Sequence, residues 1–249
     1  MLEKRKVAAL GAEFLGTGIL TLMILSVQRS TVGVPFFVAA GAGLALAVVT
    51  YALHEASGAH FNPALTFANW VARKVSTVTG ALYIVAQLLG AWAAYWLYTY
   101  YVGSSFQPIG SNFAGRVLVA ELVGTAVFSL AVAASAARRN ASGSISFGGI
   151  AAFTGVAYML GIVAASPASI GLLNPAVALG VRAWVPWGTG VTGWGTYVLG
   201  SVLGAVIGTL IYLVLFSNEP VTVAAKASPA KKAVAKPAAR KRAPARRKK

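Results

Sequence analysis

The chain predicts an all-α membrane protein: six transmembrane helices, two re-entrant half-helices in an inverted repeat, and a disordered basic C-terminal tail. Three observations carry that expectation. Of the 249 residues, 57% are hydrophobic and 10% charged, against about 25% charged in an average soluble domain. Six runs are apolar over a length that crosses a bilayer, and the triplet Asn-Pro-Ala occurs twice, at corresponding places of two related halves.

A spanning helix takes about 20 mostly apolar residues to cross roughly 30 Å of hydrocarbon. The runs 7–27, 35–54, 79–101, 116–137, 148–166 and 192–216 meet that requirement. The first follows Lys4-Arg5-Lys6 as a signal peptide would. It is long for one and has no clear small-residue cleavage site, so it reads as a retained helix. Six spans put Lys4, Arg5, Lys6, Arg73, Lys74, Arg138, Arg139 and the basic tail on one side, leaving Arg29, Arg116 and Arg182 on the other. The positive-inside rule makes the first side cytoplasmic, with both termini inside a plasma or inner membrane.

Two apolar runs, 61–72 and 173–184, are too short to span, and each contains Asn-Pro-Ala. A ten-residue helix is about 15 Å long, half the bilayer. Each therefore reads as a re-entrant half-helix, which survives at membrane depth only when packed in protein or lining a water-filled cavity.

The halves, about 7–101 and 116–216, repeat one another. Ala12-Glu13-Phe14-Leu15-Gly16-Thr17 returns as Ala120-Glu121-Leu122-Val123-Gly124-Thr125, and Asn62-Pro63-Ala64 as Asn174-Pro175-Ala176. Tyr83, Gln87, Gly90 and Ala91 correspond to Tyr197, Ser201, Gly204 and Ala205. Each copy holds three spans, so the copies have opposite topology, and inverted repeats with broken helices put the functional site near the midplane between them.

Asn is a good N-cap, and Pro at the next position is preorganised to start a helix. Asn62 and Asn174 would each cap a half-helix whose N-terminus points at the membrane centre. With the amide oxygen capping, the NH2 is left to donate into a lumen. Two helix N-termini, each with about half a positive charge, favour a water oxygen and repel cations. A water held by both Asn side chains points its hydrogens toward the two mouths, which interrupts a proton wire while the half-helix dipoles add a barrier.

With these motifs the chain resembles the aquaporin or major intrinsic protein family over roughly residues 7–216. The match is carried by Ser57-Gly58-Ala59-His60-Phe61-Asn62-Pro63-Ala64-Leu65-Thr66, Asn174-Pro175-Ala176, the paired Ala-Glu-x-x-Gly-Thr motifs and Ala86-Gln87-Leu88-Leu89-Gly90-Ala91. The resemblance implies an aquaporin-like channel domain over 1–219, a homotetramer with one pore per subunit, and passive flow of water or small neutral solutes such as glycerol, urea or ammonia. Family members usually carry Arg three residues after the second motif's Asn; here that position is Val177. The other positions of the outer selectivity filter, by spacing from the motifs, are Ala42, Ile162 and Gly171. Water-selective members have an aromatic at the first and His at the second, and glycerol-conducting members use aromatics with Arg. This set has neither, so the filter is expected to be apolar and open, without the fixed charge and donor fork of a guanidinium. Arg182 is expected on an outer loop.

Glu13 and Glu121 are carboxylates at membrane depth, where a titrating relay is one role. Their symmetric placement, and the resemblance, favour another: accepting hydrogen bonds from the re-entrant segments. His60 is expected to line the cytoplasmic vestibule. Gly200, Gly204 and Gly208 make a flat face for close helix packing. Trp92, Trp96, Tyr98, Tyr100 and Tyr101 read as an interfacial aromatic belt.

The formal charge of +16 belongs mostly to the tail, where 11 of 21 basic residues lie between Lys226 and Lys249. Residues 220–249 are Ala-, Pro-, Lys- and Arg-rich and cannot bury enough apolar surface to order themselves. Contact with anionic lipid is expected at about 1 kcal/mol per basic residue near the surface. Nucleic acid is a lesser alternative, because no aromatic interleaving supports it. The chain has no cysteine and no Asp, and no triad, phosphate loop or metal spacing, so neither an enzyme nor a cofactor is expected. A secondary transporter and a membrane-organising protein with a silent pore are the alternatives to a channel.

Overall fold

The computed structural model describes residues 2–29, 35–105, 114–140, 146–184 and 194–216. The tail expected to be disordered lies outside them. The described chain is helical: α1 (Leu2–Arg29), α2 (Pro35–Ser57), α3 (Pro63–Val71), α4 (Thr77–Val102), α5 (Gly115–Asn140), α6 (Phe147–Ala165), α7 (Pro175–Gly180) and α8 (Leu199–Phe216), with a π-helical turn Trp194–Val198 leading into α8. Six stretches are long and apolar enough to cross a membrane: Glu3–Arg29, Pro35–Ser57, Thr77–Val102, Gly115–Ala137, Phe147–Ala165 and Trp194–Phe216. They match the six runs expected from sequence, extended by up to about a turn. Large apolar side chains such as Leu44, Val48, Val78 and Val214 stand exposed around the bundle, as a lipid-facing surface requires.

The packing has the symmetry of the repeat. α1 lies along α4 as α5 lies along α8, α1 meets α2 as α5 meets α6, and α2 and α6 pack on each other across the pseudo-two-fold axis. Each half-helix rests on the third span of the opposite repeat, α3 on α8 and α7 on α4. The two halves are thereby interlocked.

Glycine permits these approaches. A Cβ on Gly90 would run into the backbone carbonyl of Phe14, and one on Gly204 into that of Leu122. The stripe Gly200, Gly204, Gly208 faces the carbonyls of Leu118, Leu122 and Ala126 on α5. Small residues allow helix axes to close where lipid supplies no hydrophobic drive.

The aromatic belt needs one correction. Trp96, Tyr100 and Tyr101 are exposed, but Tyr98 is 2% exposed and belongs to the core. It comes three and four positions after the buried Tyr95 and Ala94 and so turns inward with them.

Candidate pore site at the two Asn-Pro-Ala segments

The half-helices start where the capping chemistry predicts. Asn62 has an extended backbone, and its side-chain oxygen accepts from the Ala64 N–H at 2.8 Å. Asn174 accepts from Ala176 at 3.0 Å and Val177 at 3.3 Å. In both, Pro occupies the first helical position, where its missing N–H costs nothing. α3 runs nine residues and α7 six, about 13 and 9 Å at 1.5 Å per residue. The second is therefore much shorter than the 173–184 run, because the chain turns after Gly180 with Arg182 left-handed at φ 57°.

The amide nitrogens add a feature that the sequence did not disclose. Asn62 Nδ2 donates to the Leu173 carbonyl at 2.8 Å, and Asn174 Nδ2 donates to the Phe61 carbonyl at 2.8 Å. Each Asn thus clamps the residue preceding the other. One of the two hydrogens on each nitrogen is used in the clamp, and one remains.

Phe61 and Leu173 both adopt the left-handed region, at φ 48° and 52°. A bulky residue is a rare occupant of that region and must be held there. Glu13 and Glu121 hold them. The Glu13 carboxylate accepts from the N–H groups of His60 (3.0 Å) and Phe61 (2.7 Å) and from Gln87 Nε2 (2.7 Å). The Glu121 carboxylate accepts from the N–H groups of Leu172 (3.0 Å) and Leu173 (2.7 Å) and from the Ser169 hydroxyl. Both glutamates are fully buried. A buried carboxylate needs such saturation, since an unpaired one costs several kcal/mol.

The outer-filter positions are brought together in part. Gly171, at φ 66°, lies against Ile162, whose carbonyl oxygen stands 2.8 Å from where a Cβ would be. Ala42 and Val177 belong to the same buried apolar cluster as Ile162. Ala42, Ile162 and Val177 are at most 1% exposed. Arg182 is partly buried, its guanidinium 5.8 Å from the centre of the Tyr95 ring, a cation–π contact.

His60 lines a cavity of about 120 Å³ with Asn69, Lys74 and Thr209. Its Nδ1 is 3.1 Å from the Thr66 hydroxyl, and its ring meets Tyr83 edge-on. A larger cavity of about 230 Å³ adjoins it, with Gly58, Ala59, Val132 and Ala136 in both walls. That cavity is lined by Thr50 and His54 of α2. Sequence reasoning missed both. Their spacing of four puts Thr50 and His54 on one helix face. Tyr158 was missed too. It is fully buried and donates its hydroxyl to the Leu172 carbonyl at 2.7 Å.

Comparison with known proteins agrees with this architecture. The family profile described as "Major intrinsic protein" matches residues 2–212. The chain is 32% identical over 185 residues to Aquaporin NIP1-1 of Zea mays, covering 72% of this chain and 62% of that relative's length. It is 28% identical over 225 residues to glycerol uptake facilitator protein-like 6 of Lactiplantibacillus plantarum, covering 84% of this chain and 98% of the relative. The fold is that of the X-ray structure of the aquaglyceroporin from Plasmodium falciparum, with a TM-score of 0.69, 20% identity, and coverage of 83% of this chain and 95% of that one. A profile match across nearly the whole helical bundle, on a fold whose half-helices are clamped through their capping asparagines, identifies this chain as a member of the major intrinsic protein family.

Proposed function

We propose that this protein is a passive channel for water and small uncharged solutes. The observation that carries the reading is the reciprocal clamp: each capping Asn holds the residue before the other, so two half-helix starts meet side by side in the middle of the bundle. The second hydrogen of each Asn amide is then the donor offered to a permeant oxygen. The N-terminal ends of α3 and α7 disfavour a cation at the same point. Val177 supplies no positive charge farther out, so ion exclusion rests on this centre.

The two carboxylates support a passive pathway over a coupled one. Glu13 and Glu121 each accept three hydrogen bonds that fix a re-entrant backbone. A proton relay needs a carboxylate free to exchange its partners. No enzymatic step belongs to this reading. We take the functional unit to be a homotetramer in a cell membrane with both termini cytoplasmic, and the tail to rest on anionic lipid in preference to nucleic acid.

Stopped-flow light scattering of proteoliposomes tests the function. Osmotic water permeability well above bare lipid is expected, and glycerol flux measured in the same vesicles ranks the cargoes. Asn174→Asp keeps a capping oxygen but loses the donor to Phe61 and puts a negative charge at the centre. It should admit cations; unchanged water flux with no ion leak contradicts the assigned role. Gradient-driven accumulation in a counterflow assay would replace the channel by a transporter.

A further inference from the structure

Three helices present one residue per turn to the same axis. On α6 the residues spaced by four are Ile150, Thr154, Tyr158 and Ile162; on α5 they are Phe128, Val132 and Ala136; on α2 they are Ala42, Leu46, Thr50 and His54. Residues at that spacing share a helix face. The 230 Å³ cavity is walled by Ile150 and Thr154, by Val132 and Ala136, and by Thr50 and His54, and has room for several waters. One turn farther along each helix come Tyr158, Phe128 and Leu46, which are 0%, 1% and 3% exposed. On α5 and α6 the stripe passes at the same level from cavity-lining residues to buried aromatic rings, whereas on α2 Thr50 and Leu46 are equally buried.

Two of those three are aromatic and in contact. The Phe128 and Tyr158 ring centroids are 4.9 Å apart at 55°. The Tyr158 hydroxyl is bonded to the carbonyl of Leu172, two positions before Asn174, so the ring is held from both ends beside the Asn clamp.

We infer that the Tyr158–Phe128 ring pair, one turn beyond the cavity, is a barrier that decides which solutes pass. The inference rests on the channel reading. It assigns the size limit to ring bulk at the midplane, and the permeants it favours are those able to slip past two aromatic faces while exchanging hydrogen bonds with the Asn donors: water and the smallest neutral solutes.

The chain has no cysteine, so single-cysteine variants report accessibility without background. In detergent-solubilised protein treated with methyl methanethiosulfonate, Thr154→Cys should react readily. Ile162→Cys should react roughly tenfold or more slowly, because a buried thiol waits for local opening. Adding Tyr158→Val should bring Ile162→Cys to within a few-fold of Thr154→Cys. The same substitution alone should raise glycerol flux in proteoliposomes by about tenfold, since pore diameter is what excludes a larger neutral solute. Tyr158→Phe keeps the ring and should leave both readouts near wild type. Phe128→Leu gives a second opening of the same pair where Tyr158→Val does not fold.

Ile162→Cys reacting as fast as Thr154→Cys with Tyr158 intact overturns the inference. So does a Tyr158→Phe variant that opens the pathway as fully as Tyr158→Val, which would assign the barrier to the hydroxyl bond and not to the rings. The labelling rates read the barrier without any flux. If they follow the expected order while no variant carries water above bare lipid, the channel reading falls and the selectivity role with it.

Discussion

The two re-entrant segments have the same centre and different surroundings. At the centre each has a left-handed bulky residue, a capping Asn, a Pro, and a buried Glu holding two backbone N–H groups. Around that centre they diverge. The first Glu takes its third donor from Gln87 on α4, which also donates to Thr66 at 2.9 Å. The second takes it from Ser169 in its own loop, because the residue matching Gln87 is Ser201, whose hydroxyl turns to the Tyr197 carbonyl. The common part is what backbone chemistry demands of any broken helix. The rest only has to supply one more donor, from wherever the fold can offer it.

The largest effects should come from the common part. Glu13→Ala and Glu121→Ala each strand two backbone N–H groups and a third donor, and each should cost about 3–5 kcal/mol, since a buried donor left unpaired costs about 1–3 kcal/mol. Thermal unfolding in detergent is the measurement. Near-equal losses are expected; a loss confined to one variant would mean that the second carboxylate holds nothing up.

Next come the clamps. Asn62→Ala removes a cap worth about 1 kcal/mol and leaves the Leu173 carbonyl unpaired, about 1–3 kcal/mol more. Asn174→Ala does the same to Phe61. Because each Asn grips the segment that the other caps, the double variant should depart from additivity by about 0.5 kcal/mol or more. Strict additivity would show two independent half-helices.

The peripheral donors should separate the repeats. Gln87→Leu unpairs Glu13 from one donor and Thr66 from another, costing about 1–2 kcal/mol, and Ser169→Ala about 1 kcal/mol. Limited proteolysis should find the first segment loosened by the former and the second by the latter. Exchange of the two patterns would break the comparison.

What was legible in the sequence follows the same division. The six spans, the helix starts at Asn62 and Asn174, and the hydrogen bonds that Glu13 and Glu121 accept from the re-entrant backbone could be read because each rests on a local rule: apolar length, the Asn-Pro start, a carboxylate where lipid forbids one. The amide clamp could not, since Asn62 and Leu173 are 111 positions apart and nothing in either triplet states its partner. Tyr158 passed unnoticed inside an apolar run, where its hydroxyl gave no sign of the carbonyl it would meet.

The smallest effect concerns how a very short half-helix is kept from fraying. Isolated helices of six residues are not stable in water or out of it, since nucleation is unfavourable and few bonds follow. α7 is fastened by what comes after it. Arg182 N–H donates to Leu179 and Ala183 N–H to Ala178, at 3.0 and 2.8 Å, turning the chain back so that the Trp184 indole reaches the Pro175 carbonyl at 2.8 Å. α3, with nine residues, has a tryptophan too, but Trp70 donates to Thr77 at an exposed position. Trp184→Phe should therefore cost about 1 kcal/mol, a typical net value for one partly buried hydrogen bond, and Trp70→Phe a few tenths, as surface substitutions usually do. Unfolding midpoints of the two variants measure the difference. Equal shifts would mean that the shorter half-helix owes its stability to packing on α4 alone and that the indole bond is incidental.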